Sequence, residues 1–208
     1  MFCFLQRKNL FTYLFGIFLM PCGVVLTINS GLGAGGCDAL NFALADVLHI
    51  NTSVAIYMIG VGLICITAII RQRAPKIATL VALAVIGACT DFWATLLHLV
   101  IPETIILQFV CLILGNVIIA FSVGMYMASS FPTNPQDDFV KALVEKGWRI
   151  RVAKILFDVV CVLCAVVLKG NIGVGTILSI ILLGPTVDFF HGITTKYYLK
   201  KPQKKHSK

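Results

Sequence analysis

Apolar positions in this chain fall into long blocks, and polar positions punctuate them. Six blocks stand out: 10–29, 54–70, 77–101, 104–128, 152–168 and 172–195. Each is long enough, at about 1.5 Å of helix per residue, to cross a hydrocarbon core of about 30 Å. Only Pro102 and Glu103 separate the third block from the fourth, which predicts a tight turn. The third, fifth and sixth blocks carry ionisable side chains, and the others carry none. Two shorter segments, 38–49 and 137–146, are too short to span and predict interfacial or re-entrant helices.

The same punctuation divides the chain into matching halves. Thr79, Gly87 and Asp91 have the spacing T-x7-G-x3-D, and Thr176, Gly184 and Asp188 repeat it. GGCDALNFAL in the first half corresponds to NPQDDFVKAL in the second. Three spans per half would turn the second copy upside down, an arrangement common in transporters. The expected fold is therefore all-α and polytopic. It has six transmembrane helices as a 3+3 inverted repeat, with short helices after spans one and four. The expected division is 1–9 as a cytoplasmic N-terminus, 10–101 and 104–195 as the two repeats, and 196–208 as a basic cytoplasmic tail.

Composition agrees with membrane residence. Of the 208 residues, 59% are hydrophobic and 12% charged, about half the charge of a soluble domain. The N-terminal segment resembles a signal sequence without a small-residue cleavage site, so an uncleaved first span is expected. Of the 17 Lys and Arg, 16 fall before span one, between spans two and three, between spans four and five, or after span six. Only Lys169 lies on the other side. The positive-inside rule then puts both termini in the cytoplasm. The net charge of +8 follows from this asymmetry and implies contact with anionic lipid. No recognition module points to nucleic acid.

Two connectors interrupt the helical pattern. SGLGAGGCDALN packs Gly31, Gly33, Gly35 and Gly36 into six positions, and its counterpart SSFPTNPQDDFVKAL uses Pro132 and Pro135. Glycine and proline both break helices. A dinucleotide loop would need a βαβ unit around the glycines, which hydrophobic helices do not supply. Asp38 and Asp137 stand where they can cap the short helices that follow.

These residues resemble the YitT/YczE family of bacterial integral membrane proteins. GLGAGGCDALNFAL is similar to that family's G-x-G-P-x-D-x-L pattern, with Gly36 in the proline's place. GNIGVGTILSIILLGPTVDFF is similar to its GxxGIGT…GP…D signature, through Gly173, Gly175, Thr176, Gly184, Pro185 and Asp188. AKILFD is similar to its basic-x3-acidic pair, with Lys154 and Asp158 in those positions. The resemblance covers about residues 12–192 and implies a six-span inner-membrane protein without a settled activity.

Charges inside a bilayer cost about 2.5–3.5 kcal/mol each on insertion scales, so those in the spans are candidates for function. Asp91 lies about 22 Å along the third helix from Lys76, on the side expected for Asp38. Asp188 lies about 12 Å from the inner end of the sixth, on the side of Asp137. Two acid pairs, one per face, are expected to take a cation, a proton or a substrate amine. Lys154 and Asp158 share a helix face at i,i+4, either as a self-neutralised pair or as a relay facing Asp188. His98 and His191 follow Asp91 and Asp188 and give a possible proton shuttle. Gln108 and Asn116 in span four suit interhelical hydrogen bonds, and Gly60, Gly62, Gly115 and Gly124 suit close helix packing.

No His, Cys or acid pattern indicates a metal, and no cofactor is implied. Cys161 and Cys164 have CxxC spacing inside a span, where cysteine usually behaves as a small hydrophobe. The leading function is a small secondary transporter or exporter of a small polar solute. The alternative is a membrane-bound regulatory or assembly protein, with a partner at the cytoplasmic face or in a homo-oligomer. An enzyme is not expected, because no nucleophile set or metal triad is visible.

Overall fold

The computed structural model describes residues 2–75, 78–129, 131–170 and 172–197, without the side chains of 2–9 and 197. The tail beyond 197 and Lys76 lie outside the described residues, as do the Arg7 and Lys8 side chains, so the charge readings made on them do too.

Described residues form eight helices: α1 (Phe2–Asn29), α2 (Gly36–Leu48), α3 (Thr52–Arg71), α4 (Ala78–Leu96), α5 (Ile105–Ala128), α6 (Pro135–Glu145), α7 (Ile150–Val167) and α8 (Val174–Tyr197). Five of the long ones are apolar enough to cross a membrane: Leu10–Asn29, Thr52–Arg71, Ala78–Leu96, Ile105–Ala128 and Val174–Lys196. The expected fifth span is α7, an 18-residue helix that carries Arg151, Lys154 and Asp158 and so falls outside that set. The outward faces are strongly apolar, with Ile69 75% and Val167 81% exposed. A monomeric soluble protein rarely shows such continuous apolar surface, and this chain is a membrane protein.

Local chemistry explains the boundaries. The third block was expected to run to 101, but α4 stops at Leu96 and a turn follows, with Leu97 N–H donating to the Trp93 carbonyl at 2.8 Å. Pro102 disfavours helical backbone just before it. Pro135 opens α6, where its missing N–H costs nothing. His49, with φ 53°, closes α2 in the left-handed conformation. Pro21 and Pro185 lie inside α1 and α8, a placement that membrane helices tolerate because surrounding groups can take up the freed backbone carbonyl.

Helices α1 and α5 form the centre. Gly23 and Gly115 let their backbones touch: a Cβ on either would lie 2.7 Å from the other's carbonyl oxygen. Small residues permit such approach in membrane helices. Gly16 makes the same kind of contact with the Ser122 carbonyl. Gly60 meets the Leu83 side chain and Gly124 the His191 backbone. Gly62 faces open space, so the packing role expected for it does not hold in the described structure. Around this centre α8 packs on α5 and α4 on α1, while α2 packs on α7 and α6 on α3. The buried core between them includes Ile17, Met20, Val24, Ile119, Val123 and Val187.

Both central helices end in one serine turn. Ser30 Oγ donates to the Thr27 carbonyl at 2.6 Å and accepts from Leu32 N–H at 3.3 Å. Ser129 Oγ donates to the Tyr126 carbonyl at 2.6 Å and accepts from Phe131 N–H at 3.4 Å. Each turn leads into a connector and then a short helix.

Candidate functional site

Asp38 is the third residue of α2, and Asp137 is the third of α6. The N-caps are Gly35 and Asn134, without side-chain cap bonds. The aspartates therefore occupy the first turns, where the helix dipole favours negative charge, rather than the cap positions expected for them. Gly36 brings the start of α2 against α7, since a Cβ there would lie 2.7 Å from the Asp158 carbonyl oxygen.

The result is one buried cluster. A cavity of about 20 Å³ is lined by Gly36, Asp38, Gln136, Asp137, Lys154 and Asp158, among others. A second, of about 40 Å³, is lined by Asp38, Asn41, Thr52, Thr90, Asn134 and Gln136, among others. Asp38 and Gln136 border both. Cavities of this size hold one or a few waters. Lys154 Nζ lies 3.5 Å from Asp158 Oδ1 and 5.5 Å from the centroid of the Phe157 ring. Tyr126 Oη donates to the Asp137 carboxylate. Burial pushes the Asp38 carboxyl up to about 6; Lys154 opposes that shift, and Asp158 and Asp137 add to it.

Asp91 and Asp188 stand apart from this cluster. Both are exposed and line neither cavity. Asp91 accepts from Ser53 Oγ at 3.0 Å. The two acid pairs expected on opposite faces are replaced by a single centre. The physical reason is the shortness of α2 and α6: each begins inside the bundle, and the first turns of both border one cavity. His98 is also exposed, its Nδ1 2.7 Å from the Thr95 carbonyl, and neither it nor His191 borders the cavities. Cys161 is buried in the same core cluster as Cys37, where α2 meets α7. Cys164 is exposed, so the CxxC spacing does not make a pair. Gln108 Nε2 donates to the Pro102 carbonyl at 3.5 Å. Asn116 Nδ2 donates to Ser179 Oγ at 2.9 Å, joining α5 to α8.

The glycine blocks pack on each other. Gly175 N–H donates to the Leu32 carbonyl at 2.8 Å. A Cβ on Gly173 would run into that same carbonyl oxygen, and one on Gly33 into Thr176 Oγ1. Gly31 and Gly33 have φ of 69° and 115°, which glycine adopts without strain. Gly35 lies beside Asp38, and Gly184 fits α8 against Ile155 of α7. These glycines position the backbone, and Gly35, like Gly36, also borders the smaller cavity.

Several site residues gave no sequence signal. Tyr126, Asn41 and Gln136 are ordinary members of their segments until the fold assembles. Arg71 looked like a topology marker. It donates to Asp138 and, at 2.8 and 3.0 Å, to both Glu145 oxygens, tying α3 to α6. The acidic dipeptide Asp137–Asp138 was the available clue: one carboxylate turns to the centre and the next to Arg71.

Residues 7–192 match a family of unknown function, DUF6198. The chain is 28% identical to the "Uncharacterized membrane protein YczE" of Bacillus subtilis, over 85% of this chain and 82% of the relative. It is 26% identical to the "Uncharacterized protein YyaS" of the same organism, over 91% and 95%. It is 20% identical to an "Uncharacterized protein" of Haemophilus influenzae, over 92% and 87%. The resemblance read from the glycine and acid motifs is thus borne out. No solved structure matches.

Proposed function

Because the chain belongs to the DUF6198 family, whose function is unknown, we propose a role on the geometry of its own site: a small secondary transporter or exporter of a small polar solute in the bacterial inner membrane. The observation that carries this reading is the convergence of Asp38 and Asp137, from two short helices in opposite halves, on one buried centre with Lys154 and Asp158. Transporters bind their solutes at such broken-helix junctions between repeats.

The reading includes six spans as a 3+3 inverted repeat with both termini inside. At 18 residues α7 is about 27 Å long, and Lys154 near its start can snorkel. Exchanging α1–α4 for α5–α8 maps α2 on α7 onto α6 on α3, and α1 on α4 onto α5 on α8. It also maps the Ser30 turn onto the Ser129 turn. The repeat accounts for all these matches at once. The Asp38 carboxyl, pushed up by burial to about 6, suits coupling to a proton.

The test is flux into proteoliposomes, using a panel of labelled amines, amino acids and organic acids. At least one solute is expected to enter faster than into protein-free vesicles. Asp38→Asn and Asp137→Asn should each abolish that entry at equal protein abundance. Entry unchanged in both variants would sink the site assignment, and no entry across the panel would sink transport.

A further inference from the structure

Building on the reading of the centre as a solute site, we infer that its ligand is a small cationic hydrogen-bond donor, ammonium or methylammonium, held by Asp38 and Asn41, with Asp158 bordering the adjoining cavity. Charge comes first. The two adjoining cavities are bordered by three aspartates, Asp38, Asp137 and Asp158, against one lysine, Lys154. An anion entering here would meet that excess of carboxylate, whereas a cation would relieve it.

The unsatisfied atoms are the second observation, and they are independent of the charge count. Asn41 is 2% exposed and borders the larger cavity, and its Oδ1 has no hydrogen-bond partner. Asp158 is 1% exposed and borders the smaller one, and its Oδ2 has none either. Both atoms are acceptors. Buried acceptors without partners are uncommon in native proteins and call for a donor. An ammonium group carries donors and no acceptor, as a lysine head does. Lys154 already presents such a head to the other oxygen of Asp158, at 3.5 Å.

Size completes the assignment. Cavities of about 20 and 40 Å³ admit groups near the size of water. Ammonium fits, and one methyl group can lie against Met20, Val24 or Ile86 on the apolar wall. Tetramethylammonium has the charge but neither the N–H donors nor the size, so it separates hydrogen bonding from plain cation attraction.

The test is the thermal unfolding midpoint of the purified full chain in detergent, at constant ionic strength. The probes are the chlorides of ammonium, methylammonium, tetramethylammonium, sodium and potassium. Ammonium and methylammonium, at a hundred times their Kd, should raise the midpoint by about 5–10 °C. The other three should not. Asp38→Asn should lose the rise. Asn41→Leu, which keeps every carboxylate, should lose most of it and guards against a misfolded Asp38 variant. Equal shifts with sodium, potassium or tetramethylammonium would overturn the assignment, as would no shift with either amine. Labelled methylammonium flux separates the two proposals. A shift without flux keeps the ligand class and removes transport; flux of another solute without an amine shift does the reverse.

Discussion

Lys154 shows what a single charge does in this protein. Its ammonium and the Asp158 carboxylate are both largely buried, with side chains 12% and 2% exposed. Each needs the other, because an isolated charge away from water is very costly. Breaking a buried pair by removing one partner typically costs about 3–5 kcal/mol, while replacing both with neutral groups costs far less. Lys154→Gln should therefore lower the thermal midpoint sharply. Lys154→Gln combined with Asp158→Asn should recover most of that loss. Additive losses in such a double-mutant cycle would mean that the two charges do not stabilise each other. The i,i+4 spacing of this pair was legible in the sequence. That Asp38 and Asp137 would stand beside it was not.

At the scale of elements, the contact of α2 with α7 sets the geometry of the centre, and Gly36 sets that contact. A Cβ at Gly36 has backbone and side chain of Asp158 within 3 Å, and overfilling such a junction costs about 1–3 kcal/mol. Gly36→Ala should lower the melting temperature and disturb the site. Gly62→Ala, on the open face of α3, should leave the melting temperature unchanged or raise it slightly, since alanine is the better helix former. A Gly36→Ala variant as stable as wild type would mean that α2 can shift away from α7 without penalty. In the sequence Gly36 reads as a connector glycine and Gly62 as a packing glycine inside a span, and neither reading gives the cost of an added Cβ. Their difference lies in what the neighbouring helix brings within reach.

For the whole molecule, the count of crossings decides the architecture. With the N-terminus in the cytoplasm, as proposed, six crossings return the C-terminus there, whereas five put it outside. A C-terminal fusion to a phosphatase that is active only outside the cytoplasm should stay inactive, and a fusion to a fluorescent protein that matures only inside should glow. The opposite result would remove α7 as a span and the inverted repeat with it. The positive-inside pattern supports the cytoplasmic placement, and the three charges of α7 make the measurement necessary.

The sequence by itself determined that this chain lives in a membrane, where most of its long helices begin and end to within a few residues, and that two short helices follow broken connectors. Those features depend on local chemistry: apolar run length, glycine, proline and the spacing of charge. It also marked Asp38, Asp137, Lys154 and Asp158 as candidates, because charge among apolar residues stands out in one dimension. Only the tertiary structure decided that these four share a centre while Asp91 and Asp188 remain outside it, and that Tyr126 and Asn41 belong to that centre. Spacing along a helix gives depth and face, but which faces meet is set by close packing between helices distant in the chain. Here that packing is fixed by glycines whose role is invisible until the opposing backbone is in place.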